Sequence, residues 1–382
     1  MVFYYGNILK KRKLILPFLF LSCFFLGCSI KKELYVSNQK FTYDDFILID
    51  VQINDTLKGK MIFDTGSNHT ILEEKYNQNM RLKKSVITDF YQNTDVITYG
   101  KIDKIAFGSV EIKKTKIRFY NLSKYFDSKE NIIGILGTDI IKKFCWELDF
   151  QDNSLTISKK PYENKFGLEV LSVDYDRKSK IKDKLKVNNQ IINNNLKLDS
   201  GCLCQIAINT EEVINSNDFQ TELSFSKSLA NAQYEISEIH FTNSGILYVN
   251  KKKQDSVQII YSDFSSNVVG LEIFEKTHLV FDGVSKKLYF SNFQKHKINP
   301  ESERGFRFSK NNNDIIIKSI ILNGIADKMG LKVGDKLMYI DKLDVRKSKN
   351  ISIDSLNNNR SKIQEITVFK EDNQFLNFSF IR

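Results

Sequence analysis

Ile62-Phe63-Asp64-Thr65-Gly66-Ser67 decides how the chain is read. Two apolar residues run into an acid, a hydroxyl residue and a glycine, and polar Asn68-His69 precedes a return to apolar Ile71-Leu72. Such a pattern predicts a buried strand that ends in a tight turn holding a carboxylate. Alone it says little, because acidic turn residues beside glycine are common. A second copy, Leu196-Lys197-Leu198-Asp199-Ser200-Gly201-Cys202, changes its weight.

The likeness continues downstream. Ile132-Ile133-Gly134-Ile135-Leu136-Gly137, Trp146-Glu147-Leu148-Asp149-Phe150 and Ser154-Leu155-Thr156-Ile157-Ser158 follow the first copy. Val268-Val269-Gly270-Leu271, Leu279-Val280-Phe281-Asp282 and Lys287-Leu288-Tyr289-Phe290-Ser291 follow the second. Gly137 to Asp149 and Gly270 to Asp282 are each 12 residues; the turn acids are 135 apart and the later landmarks 133. So regular an internal repeat predicts two lobes of one design, each contributing one carboxylate.

Only three prolines, 12% aromatic residues and many short Ile/Val/Phe/Tyr runs predict a mainly β protein. Phe46–Ile53, the turn Asn54-Asp55 and Leu57–Phe63 read as a hairpin that delivers Asp64. Residues 73–84 predict a short surface helix. Asp95–Gly100 and Lys104–Ile112 predict a second hairpin-like unit, and Thr138–Phe144 a short helix. Lobe 1 then spans 41–160 and lobe 2 166–291, joined by a polar linker at 159–166. A grammar of strand, glycine-ended helix (Gly324–Leu331), strand and closing hairpin marks a third unit over 305–382. Lys251–Asp255 reads as a solvated charged turn.

Residues 1–27 hold no acid, a basic cluster (Lys10, Lys11, Arg12, Lys13) and an apolar run from Leu14 to Leu26, ahead of Cys28. These are the features of a secretory signal, too short for a comfortable membrane span. Ser22, Gly27 and Cys28 resemble the lipoprotein processing site of bacterial signal peptides, which implies a membrane attachment through lipid on Cys28. Residues 29–40 are expected to form a polar tether. Loss of 1–27 lowers the formal net charge from +11 to +7. Lysines and asparagines are scattered, with no basic stripe interleaved with aromatics, which excludes a nucleic-acid reading.

The remaining cysteines, Cys145, Cys202 and Cys204, are odd in number and predict no disulfide framework. On a strand Cys202 and Cys204 would share a face. A redox pair or a metal site there is the alternative to buried thiols packing as small hydrophobes, which is the expected state. His69, His240, His278 and His296 form no metal-like spacing, and no metal or cofactor is expected.

The tandem pattern over about residues 41–291 resembles the retropepsin-like aspartic proteases of bacterial envelopes, which share their fold logic with pepsin. The resemblance implies two retropepsin-like β-lobes in a pseudo-two-fold acid-protease fold, with Asp64 and Asp199 as the catalytic pair. It also implies that Thr65, Gly66, Ser200 and Gly201 support the dyad, the hydroxyls bonding across the lobes and the glycines allowing close approach. Thr98-Tyr99-Gly100 resembles the flap tip that covers substrate in pepsin-like enzymes. Cys202 and Asn267 depart from the pattern, standing where Ser or Thr and a glycine are usual.

Residues 305–382 resemble a PDZ domain, an α/β module, chiefly through Ala326–Asp335. Gly305-Phe306-Arg307-Phe308 sits where such domains receive a peptide carboxylate. The expected function is therefore that of a membrane-tethered, monomeric aspartic endopeptidase of the bacterial cell envelope acting on peptide or protein substrates. The alternative is a non-catalytic scaffold lipoprotein that binds peptide C-termini through the PDZ-like domain.

Overall fold

The computed structural model describes residues 36–382 apart from 78–81, 89–91, 125–130, 184, 188–189, 192–195, 210–219, 228–233, 250–251, 295–303, 312–313, 348–350, 359–361, 371 and 381–382. The signal-like segment and Cys28 lie outside the described residues. Strands take 59% of the described residues and helix 9%, so the fold is mainly β and its site is built on turns between strands. Among the described residues no helix is long and apolar enough to cross a membrane.

The internal repeat is visible in the pairing. Leu57–Phe63 runs parallel to Ile132–Leu136, with Phe63 beside Leu136. In the second copy Lys197–Asp199 runs parallel to Val268–Gly270, with Asp199 beside Gly270. Ile71–Glu73 then pairs antiparallel with Ile132–Leu136 and parallel with Val110–Tyr120. Ile206–Asn209 does the same with Val268–Gly270 and Lys252–Ser262. Two chain segments thus fold by one plan.

A six-stranded antiparallel sheet joins them. Its order runs through 36–40, 154–158, 145–149, 278–282, 287–290 and 169–172. The central pair comes from both lobes, with Glu147 opposite Val280. The acids that close the repeated blocks cap the hairpin turns of this sheet. Asp149 accepts the Gln151 N–H at 2.9 Å. Asp282 is fully buried and accepts the N–H groups of Val284 and Ser285, each at 2.9 Å.

Local sequence explains the hairpin that delivers the first turn. Phe46–Ile53 buries Ile47, Ile49, Val51 and Ile53 on one face, and Leu48 on the other packs into a smaller apolar cluster. Asn54 and Asp55 take the left-handed conformation (φ 47° and 64°), which these residue types tolerate. The Asn54 side chain also accepts the N–H groups of Asp103 and Lys104 at 3.0 Å, pinning the turn to the next strand. One apolar core runs through both lobes. At its centre Phe63 packs against Trp146 (5.4 Å between ring centres) and Phe281 (4.9 Å), so residues from both lobes floor the Asp64 turn.

The C-terminal residues have a core of their own, including Phe306, Phe308, Ile317, Leu337, Ile366 and Phe378. They do not stand apart from lobe 2. Gln220–Lys227 of a long lobe 2 hairpin pairs antiparallel with Asp314–Ile321, Leu223 lying opposite Ile320.

Several expectations need correction. Val36–Asp44 is a strand in place of a tether, because Val36–Lys40 supplies the edge that Ser154–Ser158 requires. Among the described residues of 73–84 only Glu74–Tyr76 is helical, as a single 3-10 turn, and Lys83–Thr88 is a strand. Its alternating burial suits a hairpin that lies over the lobe better than a helix. Thr94–Phe107 is one continuous strand paired with Val110–Tyr120, so the break expected after Gly100 is absent. Lys252–Asp255 belongs to a strand and not to a turn.

Candidate active site

Asp64 and Asp199 end matching strands and meet between the lobes. Their carboxyl groups hydrogen-bond each other. A Cβ placed on Gly66 would lie 2.1 Å from Asp199 Oδ2, and one on Gly201 would lie 2.8 Å from Asp64 Cγ. Only glycine lets each turn approach the opposite acid so closely.

Hydroxyls lock the two turns symmetrically. The Thr65 N–H donates to Ser200 Oγ at 3.0 Å, and the Ser200 N–H to Thr65 Oγ1 at 2.9 Å. Thr65 Oγ1 donates onward to the Leu198 carbonyl at 3.0 Å, and Ser200 Oγ to the Phe63 carbonyl at 2.8 Å. Both side chains are fully buried, so every bond of this network lies away from water. All six residues singled out for the dyad and its support are therefore brought together.

Sequence reasoning missed Ser179. Fully buried, it donates from Oγ to the Thr65 carbonyl at 2.7 Å, while its own carbonyl accepts the Leu198 N–H at 2.9 Å. It thus braces both turns from lobe 2. Its left-handed backbone (φ 53°) follows Lys178 at φ 56°. The polar run Asp176-Arg177-Lys178 marks a turn, yet nothing in that run announces a hydroxyl aimed at the other lobe.

The electrostatics are nearly, but not fully, symmetric. Burial raises Asp64 well above the ordinary carboxylate range; the Asp199 charge adds to this, and N–H groups of Gly66 and Ser67 oppose it. Those two N–H groups reach Asp64 Oδ1 at 2.7 and 3.1 Å. Burial also raises Asp199, against the N–H of Gly201, the hydrogen bond to Asp64 and the positive charge of Lys197. Lys197 stands where lobe 1 has Ile62 and is itself lowered by burial. Two acids this close cannot both ionise readily and share a proton.

The first-lobe hairpin corrects one further expectation. Its strands Lys83–Thr88 and Thr94–Phe107 pair from Thr88 opposite Thr94 back to Lys83 opposite Tyr99, so Tyr99 stands at the base. Tyr99 lies under the Lys116 amine, 4.0 Å from ring centre to Nζ, and does not sit at a tip. Gln92 at the turn reaches lobe 2 instead, donating from Nε2 to the Asp263 carbonyl at 3.3 Å.

Cys202 and Cys204 are joined by a disulfide, contrary to the expected thiols, and Cys145 is a free buried thiol. The pair lies in the loop after the second turn and not on a strand, so the sharing of a face does not arise; the loop's curvature brings the Cα atoms to 5.4 Å. The other departure, Asn267, is buried and accepts the Asn209 N–H at 2.8 Å. It ties neighbouring strands and touches neither acid.

In the C-terminal unit Gly305 is left-handed (φ 72°) and its carbonyl accepts the Ile321 N–H at 2.8 Å. Arg307 is exposed, but Phe306 and Phe308 point into the core and line no groove. The Phe308 N–H donates to Asn357 Oδ1 at 2.9 Å, and Asn357 Nδ2 donates to the Phe308 carbonyl at 3.0 Å. A side-chain amide thus occupies that strand edge. Among the described residues no group of three or more His, Cys, Asp or Glu side chains is placed to hold a metal ion. No family model matches the chain, and no curated protein matches it.

Proposed function

We propose that the chain is an aspartic-type endopeptidase whose two retropepsin-like lobes supply one acid each. The observation that carries this reading is the hydrogen-bonded pair Asp64 and Asp199, each held at the end of a matching strand by N–H groups of its own turn. A water bound between the carboxyls attacks the peptide carbonyl carbon. The ionised member of the pair takes the water's proton as the protonated one gives its own to the carbonyl oxygen; the two acids titrate as a unit and neither holds a fixed role. In the collapse of the tetrahedral diol, the acid that took the water's proton returns it to the leaving nitrogen, the C–N bond breaks and the other acid recovers the hydroxyl proton. The Gln92–Asp263 bond supports a covering role for the hairpin turn.

The purified chain is expected to cleave internal bonds of mixed peptides on the acid side of neutrality, between about pH 4 and 7. Mass spectrometry in 18O-labelled water should show one labelled oxygen per new carboxyl terminus. A peptide analogue bearing a hydroxyl in place of the scissile carbonyl should block the reaction. No cleavage anywhere in that range would sink the proposal.

In this reading the signal-like segment directs export, lipid on Cys28 tethers the enzyme to the cell envelope, and the C-terminal unit is a PDZ-like module. Peptide capture by such a module adds a strand to an edge whose N–H and C=O groups are available. Asn357 holds one such pair at Phe308, which favours catalysis over the scaffold alternative as the chain's main task. Asn357→Ala is expected to strengthen binding of peptides with a free C-terminus about 10-fold, the worth of the two hydrogen bonds released. Fluorescence anisotropy with a peptide panel measures this, and unchanged binding would show that the edge is not the receiving surface.

A further inference from the structure

The loops that follow the two acids are held by different means at equivalent positions. In lobe 1, Ser67 Oγ donates to the His69 carbonyl at 2.8 Å, bridging residues two apart. In lobe 2 the equivalents are Cys202 and Cys204, and a disulfide makes the bridge. The surroundings match. The Thr138 N–H donates to the Ser67 carbonyl at 2.8 Å, and the Leu271 N–H to the Cys202 carbonyl at 3.4 Å. A Cβ on Gly137 would meet His69 backbone atoms, and one on Gly270 would meet the Cys204 carbonyl and sulfur.

A second brace is made by other atoms in lobe 2, where Gln205, the equivalent of Thr70, donates from Nε2 to the Glu272 carbonyl at 3.3 Å. Asp139 of lobe 1 accepts both the Thr70 N–H (2.9 Å) and its Oγ1–H (2.7 Å), clamping the far end of the loop. The carboxylate of the equivalent Glu272 turns away, accepting from Tyr43 Oη at 3.0 Å and pairing with Lys276 at 3.3 Å. In lobe 2 the disulfide therefore does the work of the hydroxyl bridge. The bridge begins next to Gly201, whose N–H donates to Asp199 Oδ1 at 2.9 Å, and at Cys202 itself, whose N–H donates to the Asp199 carbonyl at 3.2 Å.

We propose that the Cys202–Cys204 disulfide is a positioning group for Asp199, so that the second half of the site is complete only in the oxidised chain. The inference rests on the peptidase reading for its effect on rate, though not for its effect on the loop. Cys202 is half-exposed and Cys204 buried, so a dithiol reductant meets the Cys202 sulfur first. Two electrons and two protons from that dithiol break the S–S bond. Two thiols remain in the protein, and the reductant leaves as its own disulfide. Cys145, buried on the central sheet, takes no part.

Hydrogen exchange and peptidase kinetics test this on oxidised and fully reduced protein, with thiol alkylation counted by mass. Reduction is expected to speed amide exchange across 200–205 and to lower kcat roughly 10- to 100-fold with KM little changed, the scale of a misplaced catalytic group. Cys204→Ala should reproduce the reduced state without reductant. Adding Cys202→Ser should recover most of the rate and abolish sensitivity to reduction, since a serine there can bond the residue 204 carbonyl as Ser67 bonds His69. Exchange across 200–205 that is unchanged by complete reduction would overturn the inference, as would failure of the serine to rescue an otherwise folded, active series. If the chain cleaves nothing in either state, the exchange measurement still decides the loop's role, and only the peptidase reading falls.

Discussion

Asp64→Asn and Asp199→Asn are each expected to reduce peptide cleavage by at least about 10³-fold, because removal of either acid leaves a proton with no carrier. The fold should persist, since an amide fits the space and can accept the same turn N–H groups. Stability should change in the opposite direction to activity. The native state raises Asp64 well above its ordinary range through burial and through Asp199. Its stabilising contribution is thus complete below the range where an unfolded carboxylate titrates, and is lost as pH rises through the elevated native value. Asparagine has no proton to lose. Asp64→Asn should therefore melt a few degrees higher than the parent near neutrality and at the same temperature in acid. Thermal melts at several pH values, beside the cleavage assay, check both halves. Full cleavage by both variants would remove the dyad from the chemistry.

Ser200→Ala carries the second large expected effect. The change leaves the Thr65 N–H without its acceptor and the Phe63 carbonyl without its donor, and both lie away from water. Two buried groups left unpaired cost about 2–4 kcal/mol together. The activity loss should be on the order of 10²-fold, because both turns lose the bonds that hold the acids in reach of one another. Ser200→Thr is the control: it keeps the hydroxyl, and Thr65 performs the same task in the other lobe. Chemical denaturation and kcat/KM are the measurements. An alanine variant of parental stability and rate would show that the cross-lobe lock is dispensable.

Much of this site could be read before any coordinates. Spacing alone pairs Asp64 with Asp199, because a repeat that keeps its landmarks 135 and 133 residues apart must fold twice by one plan. Hydroxyl and glycine beside each acid announce their roles, since a buried lock needs short donors and a close approach excludes Cβ. What stayed hidden depends on tertiary geometry. Ser179 reaches Thr65 only once its lobe has folded back. Residues 73–84 read as a surface helix because Glu, Lys and Asn suit one, whereas Glu74–Tyr76 makes a single 3-10 turn and a strand starts at Lys83. Cys202 and Cys204 looked unpaired because an odd cysteine count hides a local bridge, whereas the position of Ser67 and its bond to His69 make the need for one plain.

The pairing of Gln220–Lys227 with Asp314–Ile321 bears on how the chain can be shortened. Removing everything after residue 303 would strip a covering strand from the lobe 2 hairpin. Bare N–H and C=O groups there would recruit the nearest β-segment, including that of another molecule. In the full chain Ser319–Ile321 covers Glu222–Ser224 of that edge, so the shortened chain is expected to self-associate more readily.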